Sequence, residues 1–237
     1  MLFRQLFDRE TSTYTYLIAD LDSKEAILID PVLERVERDL QQLTELGFTL
    51  KYCLETHIHA DHITGTAKLR EFTNCQGVVP AGADASCADL FIQDGEDLKI
   101  GAVQIQAIAT PGHTDNHMAY LVDRTHLLSG DSLLIRGCGR TDFQGGDASR
   151  LFDSVTERLF ALPDGTLVYP AHDYRGLSVS TIGEEKLFNP RFARQSRQQF
   201  IELMANLNLP DPQRMAAAIP ANEHCGKLTS VNESIEL

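Results

Sequence analysis

Four strand-like apolar runs in this chain each lead to a side chain able to bind a metal. Residues 50–54 lead to His57, 103–108 to His113, 126–128 to Asp131 and 167–169 to His172. Short apolar runs closed by turn residues read as buried strands. Helical patterns alternate with them, which constrains the chain to an α/β architecture, and functional groups in such folds favour one edge of the sheet. The strand ends are therefore expected to gather these four groups at one edge.

The rest of the chain fits that frame. Residues 1–30 read as a strand meander, and Asp30-Pro31 as a helix N-cap followed by proline at the first helical position. Val36, Leu40, Leu43 and Leu46 recur at helical spacing until Gly47. Helices are expected over 63–72 and 151–162, and a strand over 118–122. A last amphipathic helix runs through Phe200, Leu203, Met204 and Leu207, with Pro210 and Pro212 just past it. The 237 residues show no linker and no short repeat. One sandwiched α/β domain over residues 1–237 is expected, with 186–237 as a C-terminal helical extension packed on it.

The densest stretch is Thr56-His57-Ile58-His59-Ala60-Asp61-His62. Imidazoles and a carboxylate together suit zinc or iron, whereas calcium asks for oxygen ligands alone. His57 and His59 alternate around Ile58, so an extended backbone points both rings to one side. His62 directly after Asp61 suggests a turn into a helix. Taken singly, His113 after Pro111-Gly112 reads equally well as a turn residue, Asp131 after Gly130 as a cap, and His172 as a satisfied core histidine. Taken together, at four strand exits, they read as a metal site. His117, His126 and His224 have no ligand neighbours in sequence and are read as structural.

Composition narrows the function. A net charge of −13 excludes non-specific nucleic-acid binding, which needs clustered Lys and Arg. An anionic ligand would have to be met by a few local arginines. No apolar stretch reaches membrane-spanning length and no signal peptide is visible, so a cytoplasmic location and no membrane partner are expected. The five cysteines form no C-x-x-C; neither a disulfide framework nor a thiolate zinc site is expected, and a reducing compartment fits. Cys138 and Cys225 are candidates for redox sensitivity, with an inert buried thiol as the plainer reading.

His57-x-His59-x-Asp61-His62, then Gly112-His113, Gly130-Asp131 and His172, resembles the metal signature of the metallo-β-lactamase superfamily. The resemblance implies an αββα sandwich with the metal at the edge of the sheets. Longer stretches are similar to the glutathione persulfide dioxygenases of the ethylmalonic encephalopathy protein type. They are THIHADHITGT (56–66), TPGHTD (110–115), GDSLLIRGCGRTDF (130–143), YPAHDY (169–174) and STIGEEKLFN (180–189). Asn206-Leu207-Asn208-Leu209-Pro210 and Pro220-Ala221-Asn222 match as well, so the likeness covers nearly the whole chain.

That resemblance implies one Fe(II) per chain on His57, His113 and Asp131, and no organic cofactor. Two histidines and a carboxylate leave three positions open for O₂ and substrate together. The implied reaction oxidises the outer sulfur of glutathione persulfide with O₂ and water to sulfite and glutathione, a step in sulfur metabolism and hydrogen sulfide detoxification. His59, Asp61, His62 and His172 then support the ligands or, alternatively, hold a second metal. Arg140 is the first candidate for gripping a glutathione carboxylate, Tyr174 for donating a hydrogen bond near the metal, and Arg175 and Arg191 are weaker candidates. A homodimer fits the resemblance, while the residues themselves leave the oligomeric state open. The alternative is a two-metal glutathione thioester hydrolase of the glyoxalase II type, and a third class is a non-catalytic metal- or glutathione-binding module.

Overall fold

Apolar and β-branched runs from Leu2 onward build strands, and where neighbouring strands pair in parallel the chain must cross over between them. The computed structural model describes residues 1–210, 212 and 214–227. These form two compact units: one of residues 1–92, 99–103 and 210 onward, the other of 93–98 and 104–209.

The first unit holds six strands in sequence order, β1 (Leu2–Asp8), β2 (Thr13–Ala19), β3 (Glu25–Ile29), β4 (Thr49–Leu54), β5 (Gln76–Pro80) and β6 (Leu90–Ile92). β1, β2 and β3 are the antiparallel meander expected for residues 1–30, while β3 to β6 run parallel. Parallel neighbours need a crossover, supplied by α1 (Val36–Leu46) and α2 (Thr66–Thr73). Leu17, Ala19, Ala26 and Leu28 of the sheet pack against Val36, Leu43 and Leu69 of these helices. Gly47 ends α1 in the left-handed conformation, φ 69°.

Two local expectations are corrected here. Asp30 does not cap a helix: it takes φ 50°, and a 3₁₀ turn, Leu33–Arg35, leads into α1. Its carboxylate is instead taken by residues far along the chain, described below. Nor does the helix begin at residue 63. The Leu33 and Gly65 amides donate to Ile63 O and Pro31 O, and Val32 bridges Thr64, so 63–64 are tied to the preceding segment, Gly65 is the N-cap and α2 starts at Thr66.

The second sheet has the order β12-β11-β10-β9-β8-β7. Its strands are β7 (Asp97–Ile100), β8 (Val103–Ala109), β9 (Met118–Val122), β10 (His126–Gly130), β11 (Leu167–Pro170) and β12 (Ser180–Thr181). Within the second unit, α3 (Ala148–Asp153) starts behind an Asp147 cap and continues as a π-helical turn, Ser154–Leu159. It packs with α4 (Ile182–Phe188) and α5 (Arg197–Ala205) on Leu121, Leu127 and Val168 through Leu151, Leu159, Ile182 and Phe200.

Of the stretch 186–237, residues to 209 pack within the second unit and the described residues from 210 within the first; 228–237 lie outside the described residues. A further helix, α6 (Met215–Asn222), follows the prolines. Its apolar, alanine-rich sequence has no amphipathic period to announce it. The cysteine spacing predicts no disulfide, and that is corrected too, because Cys87 and Cys225 are bonded across 138 residues. Cys225 is therefore no redox-sensitive free thiol, and no local spacing could have shown the pairing.

Candidate metal centre

The histidine loop leaves β4 at Leu54 and has no sheet partner to set its course, so side chains set it. Asp30 accepts from the Thr56 amide (2.7 Å) and from the Thr56 hydroxyl (2.9 Å). With that hydroxyl proton committed, His57 Nδ1 must be the donor in its 2.9 Å bond to Thr56 Oγ1. The lone pair of buried His57 is thereby fixed on Nε2, the arrangement a metal ligand needs.

The other rings of the loop lean on carboxylates. His59 Nε2 lies 3.0 Å from Asp30 Oδ1 and 3.6 Å from Glu55 Oε2. Burial would lower its pKa, but the charge and hydrogen bond of Asp30, with Glu55 and Asp61, hold it well above the usual histidine value. His62 Nδ1 lies 2.9 Å from Asp61 Oδ2. The His57 and His59 ring centroids are 4.1 Å apart, as the alternation around Ile58 requires. His59, Asp61 and His62 bring ligand atoms within 4.8 Å of one another, and His59 Nδ1 and His62 Nε2 are buried without a hydrogen-bond partner. Asp30, Glu55 and His59 form another such buried group.

In the second unit the pieces are spread along the chain but meet in space. His113 follows β8 in a turn closed by Gly112, φ 138°, where a Cβ would lie 2.3 Å from the Leu151 amide nitrogen. Only glycine fits there. His113 Nδ1 donates to Arg140 O at 2.7 Å, so its lone pair also sits on Nε2. That atom faces Asp131 Oδ2 at 3.4 Å, and His172 Nε2 stands 3.6 Å from Asp131 Oδ1, which is buried without a hydrogen-bond partner. A lone-pair nitrogen set against a carboxylate oxygen is repulsive unless a cation lies between them or a second proton goes onto the ring. The donor set fits a metal.

The segment between these residues is built around them. Gly139 N donates to Asp131 O at 2.6 Å, and a Cβ on Gly139 would lie 2.7 Å from His113 Nδ1. Arg136 is gripped by Glu184 and buried Glu185 of α4, while Asn189 donates to Gly137 O at 3.0 Å. The stretches 130–143 and 180–189 are thus one structural unit, with the second holding the first around His113 and Asp131.

The other candidates are placed as follows. Arg140 has its guanidinium fork on Asp142, at 2.6 and 2.8 Å, and lies 4.3 Å over the Phe143 ring. Its hydrogen bonds hold the Asp142 carboxyl below the usual range. Tyr174 is exposed and stacks beside His172, centroids 6.2 Å apart. Arg175 donates to Ile135 O, and Arg191 is held through its backbone amide by Asn189 Oδ1 at 3.0 Å. Cys138 packs against Met204, Sγ to Sδ 3.8 Å, and burial pushes its thiol up to about 12. Little thiolate, the reactive form, exists there at neutral pH.

Two residues with no ligand role in the sequence reading matter here. Asp30 orients Thr56 and His59. His117, read as structural, accepts from the Asp131 amide at 3.0 Å, its own proton directed to Thr110 and Ser132 (2.8 Å each). It thereby fixes the backbone that presents Asp131. Only long-range geometry reveals either role.

Comparison with known proteins follows the same lines. The model of the Metallo-beta-lactamase superfamily matches residues 8–172. The Mus musculus protein named persulfide dioxygenase ETHE1, mitochondrial, is 49% identical over 231 residues, spanning 97% of this chain and 90% of its own. The crystal structure of ETHE1 from Myxococcus xanthus matches with a TM-score of 0.94 at 54% identity, over 96% of this chain and 100% of that one. A hydroxyacylglutathione hydrolase of Rhodopseudomonas palustris (strain BisB18) is 35% identical over 205 residues, 83% of this chain and 76% of its own.

Proposed function

The chain belongs to the metallo-beta-lactamase superfamily, among its persulfide dioxygenases, and from that premise we propose that it oxidises glutathione persulfide at a single Fe(II) held by His57, His113 and Asp131. The outer sulfur would take both atoms of O₂ and a third oxygen from water, leaving sulfite and glutathione. The observation that carries this is in the second unit: His113 Nε2 faces Asp131 Oδ2 at 3.4 Å while the ring's Nδ1 proton goes to Arg140 O, so a cation between nitrogen and carboxylate would suit both. Fe(II) held by those three residues would supply the redox chemistry toward O₂, a role to which a two-histidine, one-carboxylate set is suited.

The chain's own residues do the rest. Thr56 and Arg140 O hold Nδ1 of His57 and His113, so both rings would offer Nε2 to a metal. His117 anchors the Asp131 backbone. His59, His62 and His172 keep protons and water ordered around the ligands. Tyr174, exposed and stacked beside His172, would donate a hydrogen bond to the substrate. A glutathione carboxylate at Arg140 would exchange with Asp142, and Arg175 and Arg191 remain secondary anchors.

A two-metal glutathione thioester hydrolase is the second reading. It is favoured by the unpartnered nitrogens of His59 and His62 beside Asp61, and by the likeness to the hydrolase above. Protein purified without oxygen and then supplied with glutathione persulfide separates the two. Oxygen uptake matched by sulfite is the expected result. No oxygen uptake, with cleavage of a glutathione thioester, would overturn the proposal.

A further inference from the structure

The histidine loop is stitched from behind by one side chain that no ligand motif contains. Asn222, the last residue of α6, is buried among the residues of the first unit. Its carboxamide nitrogen donates to His59 O (2.9 Å) and to His62 O (2.8 Å), and its oxygen accepts from the Thr64 amide (2.8 Å). Both protons of the NH₂ and the carbonyl are therefore used on a backbone stretch of six residues. His59 and His62 lie outside any strand or helix, and a buried unpaired carbonyl is costly. Asn222 supplies what a sheet neighbour would otherwise supply.

The end of α6 is itself pinned. Cys225 is bonded to Cys87, and Cys225 O accepts from the Ala67 amide at 2.9 Å. Gly226, φ 85°, comes so close to the loop that a Cβ would lie 1.9 Å from Thr64 O. Residues 223–226 thus have little freedom, and the Asn222 carboxamide is held at a fixed place against His59, His62 and Thr64.

We propose that Asn222 is a positioning residue for the metal loop, setting the backbone from which His57 points, with the Cys87–Cys225 bond keeping it in place. This rests on His57 being a metal ligand. The loop's grip on the metal is then a property of the far end of the chain as well as of the loop.

The test uses the full chain loaded with Co(II), whose visible spectrum reports ligand geometry, together with the rate of metal loss to a chelator. Asn222→Asp has the same shape but replaces both donors with an anionic oxygen facing two carbonyls. It is expected to bind Co(II) with an altered spectrum and to release it about 10–100-fold faster, the range for residues that support metal ligands. Cys87→Ser, a milder change that keeps Asn222, is expected to move the release rate the same way by less. Melting the metal-free proteins controls for a general loss of stability: faster release that tracks a lowered melting temperature, with the wild-type Co(II) spectrum kept, would overturn the positioning role. If His57→Ala loses Co(II) but Asn222→Asp keeps the wild-type spectrum and release rate, the positioning role is overturned. If His57→Ala holds Co(II) as the wild type does, the ligand assignment fails first and the proposal falls with it.

Discussion

The two units carry their histidines differently. In the first, four metal-capable side chains crowd into six residues, yet His59 and His62 lean on the carboxylates of Asp30 and Asp61. In the second, His113, Asp131 and His172 are scattered through the sequence, and His113 gives its Nδ1 proton to a neutral carbonyl. His57 is the loop residue that follows the second unit's pattern, its Nδ1 held by a neutral hydroxyl. The partner of the other ring nitrogen does not by itself separate ligands from supporting residues, because a carboxylate, a carbonyl or a hydroxyl can each take the second ring proton of a ligand. The proposal that only His57 of the loop binds the metal is therefore decided by substitution.

Substitution can break that comparison, and the largest effects belong to the proposed ligands. His57→Ala, His113→Ala and Asp131→Ala are each expected to remove the metal and all oxygen uptake, checked by metal analysis of protein purified without oxygen. Metal retained in any one of them would undo the pairing of His57 with the second unit's pattern. Next comes Gly139→Ala, whose new methyl would lie 2.7 Å from His113 Nδ1 and 2.8 Å from Asp131 O. Overpacking there is expected to cost about 1–3 kcal/mol in a denaturant melt and to loosen the metal; an unperturbed protein would mean the 136–140 segment does not shape the site.

His59→Ala, His62→Ala and His172→Ala sharpen the contrast. Each is expected to keep the metal with affinity lowered about tenfold, as for groups that support ligands rather than bind. Metal lost as completely as in Asp131→Ala would move that histidine into the ligand set. The smallest effect is expected from Arg140→Ala, whose guanidinium already serves Asp142. KM should rise with metal content unchanged, because His113 is held by the backbone of residue 140 and not by its side chain. Unaltered kinetics would remove Arg140 from substrate binding.

Much of this was legible from residue order alone. The strands that end near His57, His113, Asp131 and His172 announce themselves by short apolar runs, and α1 by its period and Gly47. What stayed hidden acts over distance. Asp30-Pro31 carries a local cap signal, but the carboxylate is claimed by Thr56 and His59 beyond the next helix. His117 has no ligand neighbour in sequence, yet meets the Asp131 amide across a strand pair. Asn222 bonds residues some 160 positions away, and Cys87 finds Cys225 at 138. Periodicity and spacing report on neighbours along the chain, so contacts of this kind leave no mark in them.

The central claim is that His57 acts with His113 and Asp131 on one ion, while His59, Asp61 and His62 bind none. Equilibrium titration of the metal-free protein with Fe(II) under anaerobic conditions, counted per chain, addresses it most directly. One tight equivalent, lost in His57→Ala and kept in His62→Ala, is the expected result. Two tight equivalents, with the second lost in His62→Ala, would contradict it.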